Sequence, residues 1–353
     1  MKIKLGKKII TNSSPTYFIA DIAANHDGDL KRAIKLIRLA KESGADAVKF
    51  QHHNVSKYVS DHGFKRLGNK LSHQKKWKKT IFQVYKDAEV PRKWTKTLVD
   101  YCKNINITFM STPYDLDTVD YLNKYMPTFK IGSGDLAWDD MLLKISSKKK
   151  PFFIASGAST INEVTHAVKI LEKTRANFCL MQCNTNYTGS RENFRYINLN
   201  VLKTYKKKFP KILLGLSDHT PGHETVLGSI VLGAKVIEKH FTDNTKRKGP
   251  DHPFSMDPKS WRLMVDSSRN LENSMGDGIK IVEKNELQTV VLQRRSARAI
   301  KNLKKGQKIL RDDIEYQRPC PKNALTPNQS KKILGKKIKR NLKIGDFLKK
   351  SDF

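Results

Sequence analysis

Eight short apolar runs recur between amphipathic stretches from Tyr17 to about Gly276: YFIADIA (17–23), DAVKFQ (46–51), ITFMST (107–112), FKIGSG (129–134), PFFIASG (151–157), FCLMQC (178–183), ILLGLSDH (212–219) and KVIEKHF (235–241). Strand-length runs alternating with helical patterns mark repeated βα units and a parallel sheet. In LKRAIKLIRLAKESG (30–44), Ile34, Ile37 and Leu39–Ala40 stand at helical spacing, and INEVTHAVKILEKTR (161–175) is opened by Ser159 or Thr160 as an N-cap. Eight such units predict an α/β fold, a closed (β/α)8 barrel over residues 1–276. An open doubly wound sheet is the rival, but no Gly-rich dinucleotide fingerprint follows the first run.

The rhythm is broken once and then stops. Residues 52–90 form a long insertion carrying His52, His53, His62 and His73, which reads as a lid or a dimer contact, with a poorly spaced histidine metal cluster as the lesser reading. Residues 277–293 read as a linker, and 294–353 as a small β-rich domain. Within it NLKKGQKILRDDI (302–314) repeats as NLKIGDFLKKSDF (341–353), two strand-turn-strand copies with Gly306 and Gly345 at the turns. Charge follows the same division: residues 291–353 hold 19 basic and 5 acidic side chains, a concentrated part of the +34 net charge of all 353 residues. Such an excess fits a nucleic-acid or acidic-membrane binder, an enzyme for anionic substrates, or charge that decorates solvent faces. Aromatic residues to stack bases are sparse there, namely Tyr316, Phe347 and Phe353, so no nucleic-acid partner is expected. No apolar run approaches a membrane span, the start lacks an apolar signal region and the four cysteines form no CxxC pair; a soluble, cytoplasmic protein with reduced thiols and no membrane partner is expected.

In a (β/α)8 barrel, chemistry sits at the C-terminal strand ends. Polar residues collect there: Asp21, then Lys49 and Gln51, Thr112, Lys130 with Ser133 and Asp135, Ser156, Tyr187, Ser217 with His219, and Glu238 with His240. Lysines inside a barrel need anions, so Lys49 and Lys130 suggest a bound phosphate or carboxylate, with Ser133, Ser156 and Ser217 as neutral donors and Gly132, Gly134 and Gly157 admitting backbone N–H groups. His219 and His240 on adjacent strands could share a divalent metal, with Glu238 as a further ligand or orienter.

The ordered set IADIAANHDGDL, ADAVKFQ, FMSTPYD, FKIGSGD, IASGAS, GLSDHT and EKHFTDNTKRKGPDHPFSM resembles the sialic acid synthase family, and RRSARAIKNLKKGQ…QRP resembles that family's C-terminal antifreeze-like (SAF) domain. The resemblance implies condensation of phosphoenolpyruvate with an N-acylated hexosamine aldehyde, either N-acetylmannosamine or a diacetamido-trideoxyhexose, giving a nine-carbon sialic-acid-type sugar and phosphate. It implies that Lys49, Lys130, Ser133, Ser156 and Ser217, with Thr112 beside them, contact phosphoenolpyruvate, that His219 and His240 hold a divalent metal, Mn2+ or Mg2+, and that Gln51, Tyr187 and Asp251 contact the amino sugar. It further implies a homodimer with a swapped C-terminal domain, in which Arg318 reaches the neighbouring barrel, and proton transfer by Asp21 or Asp135. Four departures stand out. Asp21 and Asp135 replace the family's usual Glu, CNTNYTGS lacks its Tyr-Pro, and RPCPKN lacks the Gly after Arg-Pro. A Schiff-base aldolase using Lys49 or Lys130 on the same barrel is the alternative.

Overall fold

The computed structural model describes residues 2–6, 8–68, 74–75 and 77–353. His73 lies outside them. The chain divides into two compact units, Met1–Met275 and Gly276–Phe353.

Eight parallel strands close the first unit into a barrel: β1 (Tyr17–Asp21), β2 (Ala47–His52), β3 (Thr108–Pro113), β4 (Phe129–Ile131), β5 (Phe152–Ala155), β6 (Phe178–Cys183), β7 (Leu213–Asp218) and β8 (Ala234–His240), with β8 pairing back onto β1. The expected barrel is thus the fold. Each strand is apolar on both faces because one face lines the barrel and the other meets a helix. The helices follow in turn: α1 (Leu30–Glu42), α2 (Arg92–Asn104), α3 (Leu116–Asn123), α4 (Asp139–Ser146), α5 (Ile161–Lys173), α6 (Val201–Lys208), α7 (Glu224–Val231) and α8 (Pro258–Ser274). Local chemistry sets their ends. Asp29 caps α1 through the backbone N–H of Lys31 at 2.8 Å, and Thr160, rather than Ser159, caps α5 in a reciprocal box with Glu163. The buried stripe of α1 is Ala33, Leu36, Ile37 and Ala40, with Ile34 and Leu39 on its flanks.

Two apolar layers result. Phe18, Val48, Phe109, Ile154, Leu214, Leu216 and Ile237 point outward into the helix layer. Tyr17, Ile19, Ala47, Met110, Phe153, Leu213 and Val236 fill the inside, together with Ile3, Leu5 and Ile10. Those last three come from an N-terminal hairpin, Ile3–Leu5 with Lys8–Ile10, which the sequence reading did not anticipate. The 52–90 insertion contains short helices, Val55–Tyr58, Asp61–Arg66 and Ile81–Asp87, around a small core of its own.

The second unit carries an antiparallel pair, β9 (Ser296–Ala299) with β10 (Ile314–Gln317), and a separate core that includes Leu303, Ile309, Ile338, Leu342 and Leu348. The sequence repeat is visible as reciprocal bonds: Leu303 N–H donates to Leu342 O at 2.8 Å and Leu342 N–H to Leu303 O at 2.9 Å. Gly306 (φ +85°) and Gly345 (φ +87°) take the left-handed backbone that turns of this kind need. The expected strand-turn-strand copies are instead turns joined by isolated bridges, since each copy is too short and too polar to extend a ladder. No helix among the described residues is long and apolar enough to cross a membrane.

Candidate active site

Side-chain alternation along the strands builds the site. Above the apolar interior the inward positions change character: Ile19 gives way to Asp21, Ala47 to Lys49 and Gln51, Gly215 to Ser217, and Val236 to Glu238 and His240. These groups line a cavity at the C-terminal mouth with about 820 Å³ of space, counted to its open end, together with Lys130, Ser133, Tyr187, His219 and Asp251.

The buried lysines meet carboxylates of the chain itself, which the sequence reading left to a bound anion. Lys49 Nζ lies 2.7 Å from Asp21 Oδ2 and 3.5 Å from Glu238 Oε1, and Lys130 Nζ lies 3.3 Å from Glu238 Oε1. Lys49 also donates to Thr112 Oγ1 at 3.3 Å, Ser217 Oγ to Glu238 at 3.2 Å and Gln51 Nε2 to Asp21 at 3.1 Å. Burial alone would pull the Lys49 ammonium down, yet Asp21 and Glu238 outweigh it and hold it charged. Burial pushes Glu238 up, but Lys130 and Lys49 prevail and keep it anionic. Asp21 is shifted upward by its burial.

His219 and His240 stand side by side, ring centroids 5.3 Å apart. Burial holds both neutral, at about 3, so each offers a lone pair. The Nδ1–H of His219 donates to Asn184 O at 2.8 Å, which leaves its Nε2 free to ligate, and His240 Nδ1 is buried without a hydrogen-bond partner among the described residues. This pair fits a divalent cation. The described residues hold no cluster of three or more His, Cys, Asp or Glu side chains suited to a metal, so water or substrate oxygens would complete its shell. Of the insertion histidines, His52 is buried between Ser111 Oγ (2.8 Å) and Thr95 Oγ1 (2.9 Å), His53 faces Tyr58, Tyr85 and Tyr114, and His62 is exposed.

Asp135 sits in a tight turn after β4; burial raises its carboxyl to about 6, partly offset by Lys130. Asp251 is likewise raised by burial to about 6 and accepts from Ala24 N–H at 3.0 Å. Gly157 N–H donates to Ser133 Oγ at 3.0 Å, and a Cβ there would lie 2.5 Å from Thr185 Cγ2 and 2.8 Å from Ser133 Oγ, so only glycine fits.

Three expected residues of the barrel lie off the cavity wall, Asp135 among them. Thr112 reaches it through Lys49. Ser156 follows the inward Ala155 and turns toward the helix layer, where its hydroxyl donates to Met181 O at 3.0 Å and accepts from Tyr205 at 2.9 Å. Arg318, in the second unit, is exposed and makes no hydrogen bond or ion pair with the described residues. Conversely, the sequence reading missed an aromatic wall of Tyr58, Trp77, Tyr85 and Tyr114. Tyr58, Trp77 and Tyr85 come from the lysine-rich insertion, whose cluster of aromatics was the signal, and Tyr114 directly follows β3.

Known proteins match the chain along most of its length. The NeuB family model matches residues 36–280 and the SAF domain model residues 294–353. The chain is 34% identical to the N,N'-diacetyllegionaminic acid synthase of Campylobacter jejuni, over 95% of this chain and 99% of that protein. It is 31% identical to a pseudaminic acid synthase of the same species, over 96% of each. The structure superposes with a TM-score of 0.71 on the N-acetylneuraminic acid synthetase of Leptospira borgpetersenii in complex with citrate, at 27% identity, covering 82% of this chain and 95% of that one.

Proposed function

This chain belongs to the NeuB family and is an enzyme, and from that premise we propose that its barrel mouth condenses phosphoenolpyruvate with an N-acylated amino-sugar aldehyde. The reading rests on one observation above all: two buried lysines beside carboxylates and two neutral imidazoles share a single cavity.

Lys130 spends one contact on Glu238 and keeps further N–H donors for the phosphate or carboxylate of phosphoenolpyruvate, with Lys49, Ser133 and Ser217 beside it. The aromatic wall and Gln51, Tyr187 and Asp251 flank the remaining space, suited to a sugar with apolar acyl groups. His219 and His240 would hold a divalent cation, Mn2+ or Mg2+, which supplies Lewis-acid polarisation of a carbonyl when bound. In the reaction C3 of phosphoenolpyruvate bonds to the aldehyde carbon, water adds at C2, and the C2–O bond to phosphate breaks to leave a 2-keto acid and inorganic phosphate. Asp21, on the cavity wall with its carboxyl shifted upward by burial, would move the proton, whereas Asp135, raised to about 6, lies off that wall. The aldolase alternative needs an uncharged lysine amine; carboxylates that hold Lys49 charged work against it.

The same reading includes a homodimer in which Arg318 serves the partner's cavity. An exposed, uncommitted Arg318 supports it, as do Ile279, Ile281, Leu287 and Leu292, apolar yet 67%, 55%, 60% and 61% exposed. The decisive assay mixes the protein with phosphoenolpyruvate and a panel of aldehydes, N-acetylmannosamine and a diacetamido-trideoxyhexose among them, and reads phosphate release with and without chelator. Cation-dependent release with one acceptor is expected. Release from none, or a borohydride-trapped lysine adduct in its place, would overturn the reading.

A further inference from the structure

Lys239 is among the largest side chains wholly enclosed by the fold, 1% exposed, and the chemistry above makes no use of it. In β7, Leu213 and Ser217 face the barrel interior while Leu214, Leu216 and Asp218 face the helices; in β8, Val236, Glu238 and His240 face inward while Ile237 and Lys239 face out. The register pairs Lys239 with Asp218, which is itself 2% exposed. An ion pair therefore sits behind the barrel wall, on the side that Leu214, Leu216 and Ile237 also face and away from the cavity lining.

Its bonds are complete and directed. Lys239 Nζ donates to Asp218 Oδ2 and, at 2.7 Å, to the carbonyl of Thr220. The hydroxyls of Thr220 and Thr225 each donate to the same Asp218 oxygen at 2.8 Å, and Thr220 N–H reaches Asp218 Oδ1 at 3.3 Å. Thr225 lies in the first turn of α7. The network thus fastens the residues on both sides of His219, the residue before His240 and the adjoining helix.

Packing alone does not call for this arrangement, because a buried ion pair holds two strands together no better than an apolar pair of the same volume. What charge adds is direction. We propose that Lys239 and Asp218 are positioning residues that fix the separation of His219 and His240, so that the two imidazoles act as one site for a divalent cation. The inference rests on the cation site of the proposed function and concerns what shapes it.

The test uses full-length protein, with Mn2+ as the probe and its free-ion electron paramagnetic resonance signal as the readout. The double substitution Lys239→Met with Asp218→Leu replaces the pair by apolar side chains and strands no buried charge. Its cation-free melting temperature is expected within a few degrees of wild type, while its Mn2+ affinity falls at least about tenfold, the scale seen when a residue supporting a metal ligand is lost. Lys239→Met alone, which leaves Asp218 buried without its cation, should melt well below the double variant. Equal Mn2+ affinity in the double variant and wild type would overturn the proposal, and so would a double variant that fails to fold, since the pair would then serve the barrel and not the site. Wild-type protein that binds no Mn2+ would remove the cation site itself, a different result from equal binding by both.

Discussion

The lower and upper halves of the barrel interior are built on the same strands, yet they differ completely in chemistry. Below, Tyr17, Ile19, Ala47, Leu213 and Val236 pack with Ile3, Leu5 and Ile10 of the N-terminal hairpin into an apolar plug. One inward step further along β1, β2 and β8, the positions hold Asp21, Lys49 and Glu238, all at most 4% exposed. Burying ions at such cost is reasonable only where they do something that apolar packing cannot. The lower half holds the strands together; in the function proposed above, the upper half keeps charge ready for anionic substrate, and its ions neutralise one another meanwhile.

The sharpest way to break this contrast is to substitute once in each half. Lys130→Met leaves Glu238 with its main cation removed, and with it a charge-assisted contact to substrate is lost. Activity with phosphoenolpyruvate is expected to fall by roughly two to four orders of magnitude, if the loss of a buried charge partner, about 3–5 kcal/mol, is felt in full at the transition state. Ile19→Ala should do the opposite, lowering stability by about 2–5 kcal/mol through cavity formation while kcat/KM of the folded protein stays near wild type. If Lys130→Met kept wild-type kcat and KM, the upper half would be structural after all.

The architecture was legible because it depends on short-range rules. Eight apolar runs gave eight strands, and period-two alternation put Lys49 with Gln51 and Glu238 with His240 on one face. The failures were long-range. Nothing local says that Lys130 of β4 meets Glu238 of β8, or that Lys239 meets Asp218 across the β7–β8 register, because pairing depends on barrel closure. Ser156 was misplaced for a smaller reason: β5 ends with Ala155 inward, so the next side chain turns toward Tyr205 on α6. The hairpin that plugs the barrel was hidden because three-residue strands carry too little pattern to recognise.

Outward-facing polar groups extend the comparison to pH. His52 ends β2 in the helix layer, held neutral between Ser111 and Thr95, and burial lowers its pKa from 6.5 to about 3. The unfolded chain takes up a proton there below about pH 6.5 that the native state refuses, so this contribution to stability is present above that pH and lost as pH falls toward 3. At pH 5 the loss from this one group is about 2 kcal/mol. Denaturant unfolding of wild type and His52→Gln at pH 7 and pH 5 checks it: the substituted protein starts less stable but should lose about 2 kcal/mol less on acidification. Parallel losses in the two proteins would show that His52 is not the titrating group.

The smallest effect belongs to the second unit, where polar side chains cap its turns. Asn302 Oδ1 accepts from Ile344 N–H at 3.0 Å, and Asn341 Oδ1 accepts from Lys305 N–H at 2.8 Å, so each sequence copy caps the turn of the other. The two copies also end alike, with Leu310 N–H bonded to Asp313 and Lys349 N–H to Asp352, both at 2.8 Å. Reciprocal capping predicts reciprocal damage. In the full-length chain, Asn341→Ala should speed amide exchange at Lys305, Asn302→Ala should do so at Ile344, and each loss is expected at about 1 kcal/mol, the usual worth of such a bond. These are exposed turns, and neither substitution should alter the cavity's chemistry, whereas Lys130→Met acts on it directly. Faster exchange at both amides in either variant would mean that the two turns open as one unit, and that the repeat is a single cooperative element rather than two copies that cap each other.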